Sequence, residues 1–421
     1  MHPAPAPNPI AQRLDKLTGL WNDFRALPKG RVCRWVIEPD ERQMVEVFLE
    51  ATYQAHHPVE DLLLPFYTPC TDPAAYSRQL VEELRKQVEA DRPALAEAGI
   101  AVAWQPQPAR SAHEGAGHLL RNLQSFAGEV PDTLLVAVLM PPETNEAFAR
   151  WLREVLRTDI PARLRLLVLD PAATEPLAPV AAAFPGPLHS ARPALDMPAA
   201  MQQLAAAGNP ADPGVRFRQA FLALSQAASR PQWAEIQRLE TLPLAIAREQ
   251  GWMAMEVAVH CLVAAALIGL KRLPDALDRY ERAFGLTSRA AGDQNAAALG
   301  VQCLSSKGSV YLGAGLYPEA AQTFERAGVA AKAAGDPYQL MEALRMQGYC
   351  LDKSGQGPRA LAVQLAALVA ARGVDAQVRR ATLPYLGHSL LELAARYGKR
   401  EDRPRIEQQM NALAGPGWQK K

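Results

Sequence analysis

A helical-hairpin sequence recurs through the second half of this 421-residue chain, centred on Ala276, Ala320 and Ala360. From Gly308 to Ala327 it places small residues where two helices would cross, and the aromatics Tyr311 and Phe324 where they would interlock. One hairpin cannot bury its own apolar face, so such a sequence folds only by stacking on a neighbour. The expectation is an all-α solenoid of helical hairpins that offers a concave surface to another protein.

Two units carry near-copies, Pro274-Asp-Ala-Leu-Asp-Arg-Tyr-Glu-Arg-Ala283 and Pro318-Glu-Ala-Ala-Gln-Thr-Phe-Glu-Arg-Ala327. Gly308, Tyr311, Ala320, Phe324 and Ala327 fill one frame, and Ala264, Leu267, Ala276, Tyr280 and Ala283 fill it one unit earlier. A third unit keeps Gly348, Gly355, Ala360 and Ala367 but has Leu351 and Gln364 in place of the aromatics. This pattern resembles tetratricopeptide repeats over roughly residues 215–414. Ala234 is expected to mark a degenerate first unit, giving marker spacings of 42, 44 and 40 residues. These exceed the roughly 34 residues of a standard repeat, which implies longer hairpins. Gly292-Asp293 and Gly335-Asp336 read as stops between units.

Lys plus Arg is 45 against 44 Asp plus Glu, so no global field draws in nucleic acid or an anionic membrane. No apolar run approaches a membrane span, and the first residues lack the pattern of a secretory leader. The expectation is a soluble, cytoplasmic protein. Cys33, Cys70, Cys261, Cys303 and Cys350 stand singly, as reduced thiols acting as small hydrophobes do.

The first half alternates short apolar runs with helical spacing. Cys33–Ile37, Leu62–Phe66, Ile100–Trp104, Leu134–Met140 and Leu164–Leu169 read as strands buried on both faces, separated by helices such as those around Met44–Leu49 and Leu80–Leu84. They predict a three-layer α/β domain with a mostly parallel sheet. The expected division is an extension over 1–30, the α/β domain over 31–214 and the repeats over 215–421. Pro185-Gly-Pro187, Pro193 and Gly208–Gly214 read as linker, with a short helix over Met197–Ala207.

An α/β domain followed by long repeats resembles signalling nucleotide hydrolases, which implies a phosphate site. A phosphate loop needs Gly-x-x-x-x-Gly-Lys-Ser/Thr, yet the first strand runs into Glu38-Pro39-Asp40-Glu41, which repels a triphosphate and removes a donor. The Gly-x-Gly-x-x-Gly fingerprint is missing too. The N-terminal half therefore resembles a degenerate member of that class without its motifs. Asp170, ending its strand, sits where a magnesium ligand would, and equally where a strand-ending turn would. His113 and His118 are five apart, off a common helix face, and His56-His57 are adjacent, so neither pair is spaced to ligate zinc. No nucleophile motif stands out, and Ser305-Ser306 falls inside a repeat helix.

The reading is a non-enzymatic adaptor, chaperone or scaffold without cofactor that binds a protein or peptide on the concave face of its repeats, with a homo-oligomer left open. Candidate partner-binding residues on the first helices are His260, Gln302, Lys307, Arg345 and Gln347, each equally readable as ordinary helix surface. Two alternatives stand beside it, a divergent nucleotide-responsive switch and a bacterial secretion-system cargo adaptor, the latter from architecture and Ala- and Pro-rich composition. The segment Ile406–Trp418 either caps the array or lies in its groove.

Overall fold

The computed structural model describes residues 8–52, 59–97, 102–111, 114–130, 133–290 and 293–420, which form two compact units, 1–204 and 205–421. The first runs α1 (Pro9–Arg25), β1 (Val32–Ile37), α2 (Arg42–Thr52), β2 (Leu62–Phe66), α3 (Pro73–Glu97), α4 (Ala116–Ala127), β3 (Leu135–Leu139), α5 (Glu146–Arg157), β4 (Leu164–Pro171), α6 (Ala178–Ala183) and β5 (Leu188–Ala191), followed by α7 (Met197–Ala206).

The strands pair in parallel in the order β2-β3-β4-β1-β5, with Trp35 opposite Leu169 and Ala137 opposite Leu166. Side chains alternate across each strand, so the sheet feeds two cores. Cys33, Trp35, Val136, Val138 and Leu167 pack with α1 and α2 on one face. Val32, Leu135, Ala137, Leu166 and Val168 pack with α3, α4, α5 and α6 on the other. The unit is therefore a three-layer α/β domain. Edge strand β2 tolerates Pro65, whose carbonyl accepts a hydrogen bond from Gln87 Nε2 at 2.6 Å.

Two expectations about strands need correction. Val102–Trp104 lies in no strand, and Ile100 falls outside the described residues. Val102 and Trp104 are buried in irregular chain, with Trp104 edge-on to Phe126 at 5.6 Å. Conversely, Pro185-Gly-Pro187 leads directly into β5, and the Pro187 carbonyl accepts from the amides of Arg31 and Val32.

The second unit is a succession of helices: α8 (Pro213–Ser229), α9 (Trp233–Glu249), α10 (Met253–Gly269), α11 (Leu273–Thr287), α12 (Gln294–Gly313), α13 (Tyr317–Ala334), α14 (Pro337–Lys353), α15 (Gly357–Ala370), α16 (Ala376–Tyr397) and α17 (Asp402–Ala414). Consecutive helices pack as hairpins, and Ala276, Ala320 and Ala360 are fully buried at the crossings. Gly335 ends α13 in the left-handed region at φ 69°, and Asp336 starts α14 by accepting from the Gln339 amide at 2.9 Å. Asp293 starts α12 in the same way, while Gly292 lies outside the described residues. Ala234 departs from the expectation: it is exposed, and Ile236 fills the buried place near the start of α9.

The aromatic positions explain the stacking. Phe324 lies so close to Gly308 that a Cβ there would sit 2.9 Å from its ring. Gln364 occupies the corresponding place on α15, four residues after Ala360, fully buried against Gly348. Among the described residues neither Gln364 Oε1 nor Nε2 has a hydrogen-bond partner. An amide buried unpaired costs about 1–3 kcal/mol, so Gln364→Met, which keeps the unbranched shape, is expected to stabilise by a similar amount in chemical denaturation. A loss of stability would mean that the amide is paired in solution.

The terminal segment packs against α16. Ile406, Met410 and Trp418 join the same apolar cluster as Leu383, Leu386 and Leu390 of α16, and Trp418 packs on Gly387 and His388.

Candidate functional site

In an open parallel sheet, ligands sit beyond the carboxyl ends of the strands, where neighbouring strands send their connections in opposite directions. Here β1 leaves through α2 on one face and β4 leaves through α6 on the other, so the switch falls between them. A cleft of about 420 Å³ opens there, lined by Ile37, Glu38, Pro39, Arg42, Glu143, Thr144 and Leu169, among others. Its chemistry is poor for phosphate. Pro39 offers no N–H, Glu38 and Glu143 are exposed acids, and Arg42 donates to the carbonyls of Met140 and Pro141 at 2.8 and 3.3 Å. Glu41, expected as part of the acidic run, is buried instead. It caps the short 3₁₀ turn Pro39–Glu41 and accepts from the Leu195 amide.

Asp170 turns away from that cleft into an ion pair. Arg34 of β1 donates to its Oδ2 through Nε at 2.7 Å and reaches Glu175 through Nη2 at 2.7 Å, and Glu175 also holds Arg192. Arg34 and Asp170 have 6% and 0% of their side-chain surface exposed, and Leu177 N–H donates to Asp170 as well. Burial pushes the Asp170 carboxyl above its ordinary value, and Arg34 pulls it back. With its oxygens engaged by a guanidinium and an amide, Asp170 is a structural anion. His118, on α4, is buried with Nε2 3.0 Å from the Gln107 carbonyl, while His113, His56 and His57 lie outside the described residues. Among the described residues no group of three or more His, Cys, Asp or Glu side chains could hold a metal ion, and no helix is long and apolar enough to cross a membrane.

The five candidate groove residues fall into three settings. His260 and Gln347 are buried within the helix packing, and so present no open face. Burial, with Arg279 beside it at 3.3 Å, pushes His260 down to about 4, so the ring stays neutral. Lys307 and Arg345 are partly buried and already paired, Lys307 with Glu281 at 2.5 Å and Arg345 with Glu342 at 2.7 Å on its own helix. Gln302 is exposed on α12.

Glu281 also binds Arg326, so one carboxylate of α11 clamps α12 and α13. Arg326 first, then Lys307, holds it down at about 2. Its folded value lies below the unfolded one, so its contribution is complete above about pH 5 and is lost as pH falls toward 2. With 44% of the side chain exposed, screening limits that contribution to about 1 kcal/mol or less. Glu281→Gln is expected to flatten this part of the acid stability profile, and an unchanged profile would remove the clamp.

Among the described residues, the most exposed large hydrophobic side chain lies elsewhere. Tyr385 of α16 is 72% exposed, and with Gln377, Arg380, Ala381, Pro384 and His388 it lines a shallow cleft of about 350 Å³. The repeat frame gave no pointer to it, because α16 follows the last marker alanine. The interior Pro384 was the available signal.

No family model matches the chain, and no curated protein matches it. Among solved structures it is similar to BtubC (BKLC) from P. vanneervenii, at 11% identity over 49% of this chain and 94% of that one, with a TM-score of 0.32. It is similar also to aspartyl phosphate phosphatase F from Bacillus subtilis, at 10% identity over 72% and 71% with a TM-score of 0.35. A signal transduction ATPase with a tetratricopeptide repeat sensor from Pyrococcus horikoshii gives 9% identity over 97% and 77%, with a TM-score of 0.34.

Proposed function

We propose that this chain is a non-enzymatic adaptor or scaffold whose stacked hairpins bind a protein or peptide partner. The observation that carries this reading is Tyr385, standing open beside Arg380 and His388 on a helix whose opposite side is packed into the array. Tyrosine and arginine dominate the energetics of protein interfaces, because they supply large contact area and directed hydrogen bonds at one place. Val329, Val369 and Tyr349 add further open apolar surface on α13, α15 and α14.

The test is site-specific photo-crosslinking of the full chain in its host, with the reactive group placed at Tyr385 and, for comparison, at the exposed Tyr67 of the first unit. A defined protein adduct from position 385 and none from position 67 is expected. Equal or no adducts at both would sink the reading.

The sheet-end cleft supports a second reading, a nucleotide-responsive switch, because it lies at the switch between β1 and β4. Magnesium ATP is expected to leave the melting temperature unchanged, given the two acids and the engaged Arg42. A rise would establish that reading in place of the first.

A further inference from the structure

Cys261 of α10 and Cys303 of α12 come from the first helices of successive hairpins, 42 residues apart, and their sulfurs lie 3.8 Å from one another. Val257, Ala283, Met253, Phe284 and Leu299 pack around them, and the Tyr280 hydroxyl lies near both thiols. Cys303 is buried, whereas Cys261 is partly open to solvent. A disulfide needs about 2.05 Å between sulfurs, so the two side chains must close this gap to form one.

We propose that Cys261 and Cys303 form a dithiol modification site that reacts with small disulfides of the glutathione class and closes to a bridge between two hairpins. Cys261 is the attacking group. Its thiolate accepts a hydrogen bond from the Cys303 S–H, which lowers its pKa, while the same contact and burial raise that of Cys303. In the first step the Cys261 thiolate attacks one sulfur of the oxidised tripeptide, forming a mixed disulfide and releasing one tripeptide thiolate. In the second, Cys303 gives its proton to a base, and its sulfur attacks the Cys261 sulfur. The Cys261–Cys303 bond forms and the second tripeptide leaves as thiol. Two protein thiols are thus oxidised and one small disulfide is reduced to two thiols. Cys33, Cys70 and Cys350 are internal controls: all three are buried, and burial pushes Cys70 and Cys350 up to about 11.

The folded full chain is incubated with oxidised glutathione, alkylated, cut with trypsin and mapped without reduction. The expected product links peptide 249–271 to peptide 290–307, forming roughly tenfold faster than any adduct at the other three cysteines. In Cys303→Ala the tripeptide adduct should accumulate on Cys261, because the resolving thiol is gone. The proposal is overturned if the unsubstituted chain keeps the adduct on Cys261 without linkage, if the link forms between two copies, or if neither thiol reacts ahead of the controls. The unsubstituted chain alone decides this, whether or not the variant folds.

Discussion

Replacing Asp170 with alanine is expected to destabilise the first unit by about 3–5 kcal/mol, because it leaves the Arg34 guanidinium buried without its closest anion. The pair joins β1 to β4, two central strands, and Arg34 also touches Ser190 of β5 at 3.3 Å. Loss of the carboxylate therefore acts on three neighbouring strands at once. Hydrogen exchange along β1 and β4, read by mass spectrometry, separates this from events in the helical unit. The double replacement Arg34→Met with Asp170→Leu should recover much of the loss, since an apolar pair of similar volume avoids the desolvation of both ions. A single replacement that shifts exchange by less than about 1 kcal/mol would mean that Glu175, which Arg34 also holds, or water takes over the charge.

The second large effect is expected at Phe324, where alanine should cost the helical unit about 3–5 kcal/mol. Phe324 is buried against a residue with no side chain, so Gly308 has nothing that could move into the space left behind. Nearly the whole cavity therefore persists, which is the condition for the upper part of that range. Faster amide exchange in α12 and α13, with α16 and α17 much less affected, is the expected pattern. Uniform acceleration over all helices would show that the array unfolds as one body.

Much of this architecture is legible in the residues, and the reason is local. Ala276, Ala320 and Ala360 identify helix crossings because only a small side chain fits there, and four of the five apolar runs became strands because burial on both faces needs unbroken apolarity. Val102–Trp104 misled because an apolar run reports burial and not extended pairing. Strand β5 gave no signal because only Leu188 of its four residues is buried. His260 and Gln347 were placed on an open wall because helical spacing tells which residues share a face, but not how far the next helix covers it. The sheet-end cleft was invisible for another reason: its walls come from residues near 38, 143 and 169, far apart in sequence.

Pro65 in edge strand β2 has a consequence for the company this sheet can keep. A parallel sheet with a free border is a template on which another chain can add a strand, the first step towards fibrous aggregation. At Pro65 the border has no N–H to offer, and its carbonyl is already occupied by Gln87, so an incoming strand would meet a gap in the ladder at mid-strand. The opposite border, β5, is only four residues long. Among the described residues, each rim of the sheet thus carries a feature that opposes an added strand, which disfavours association through the sheet at high local concentration.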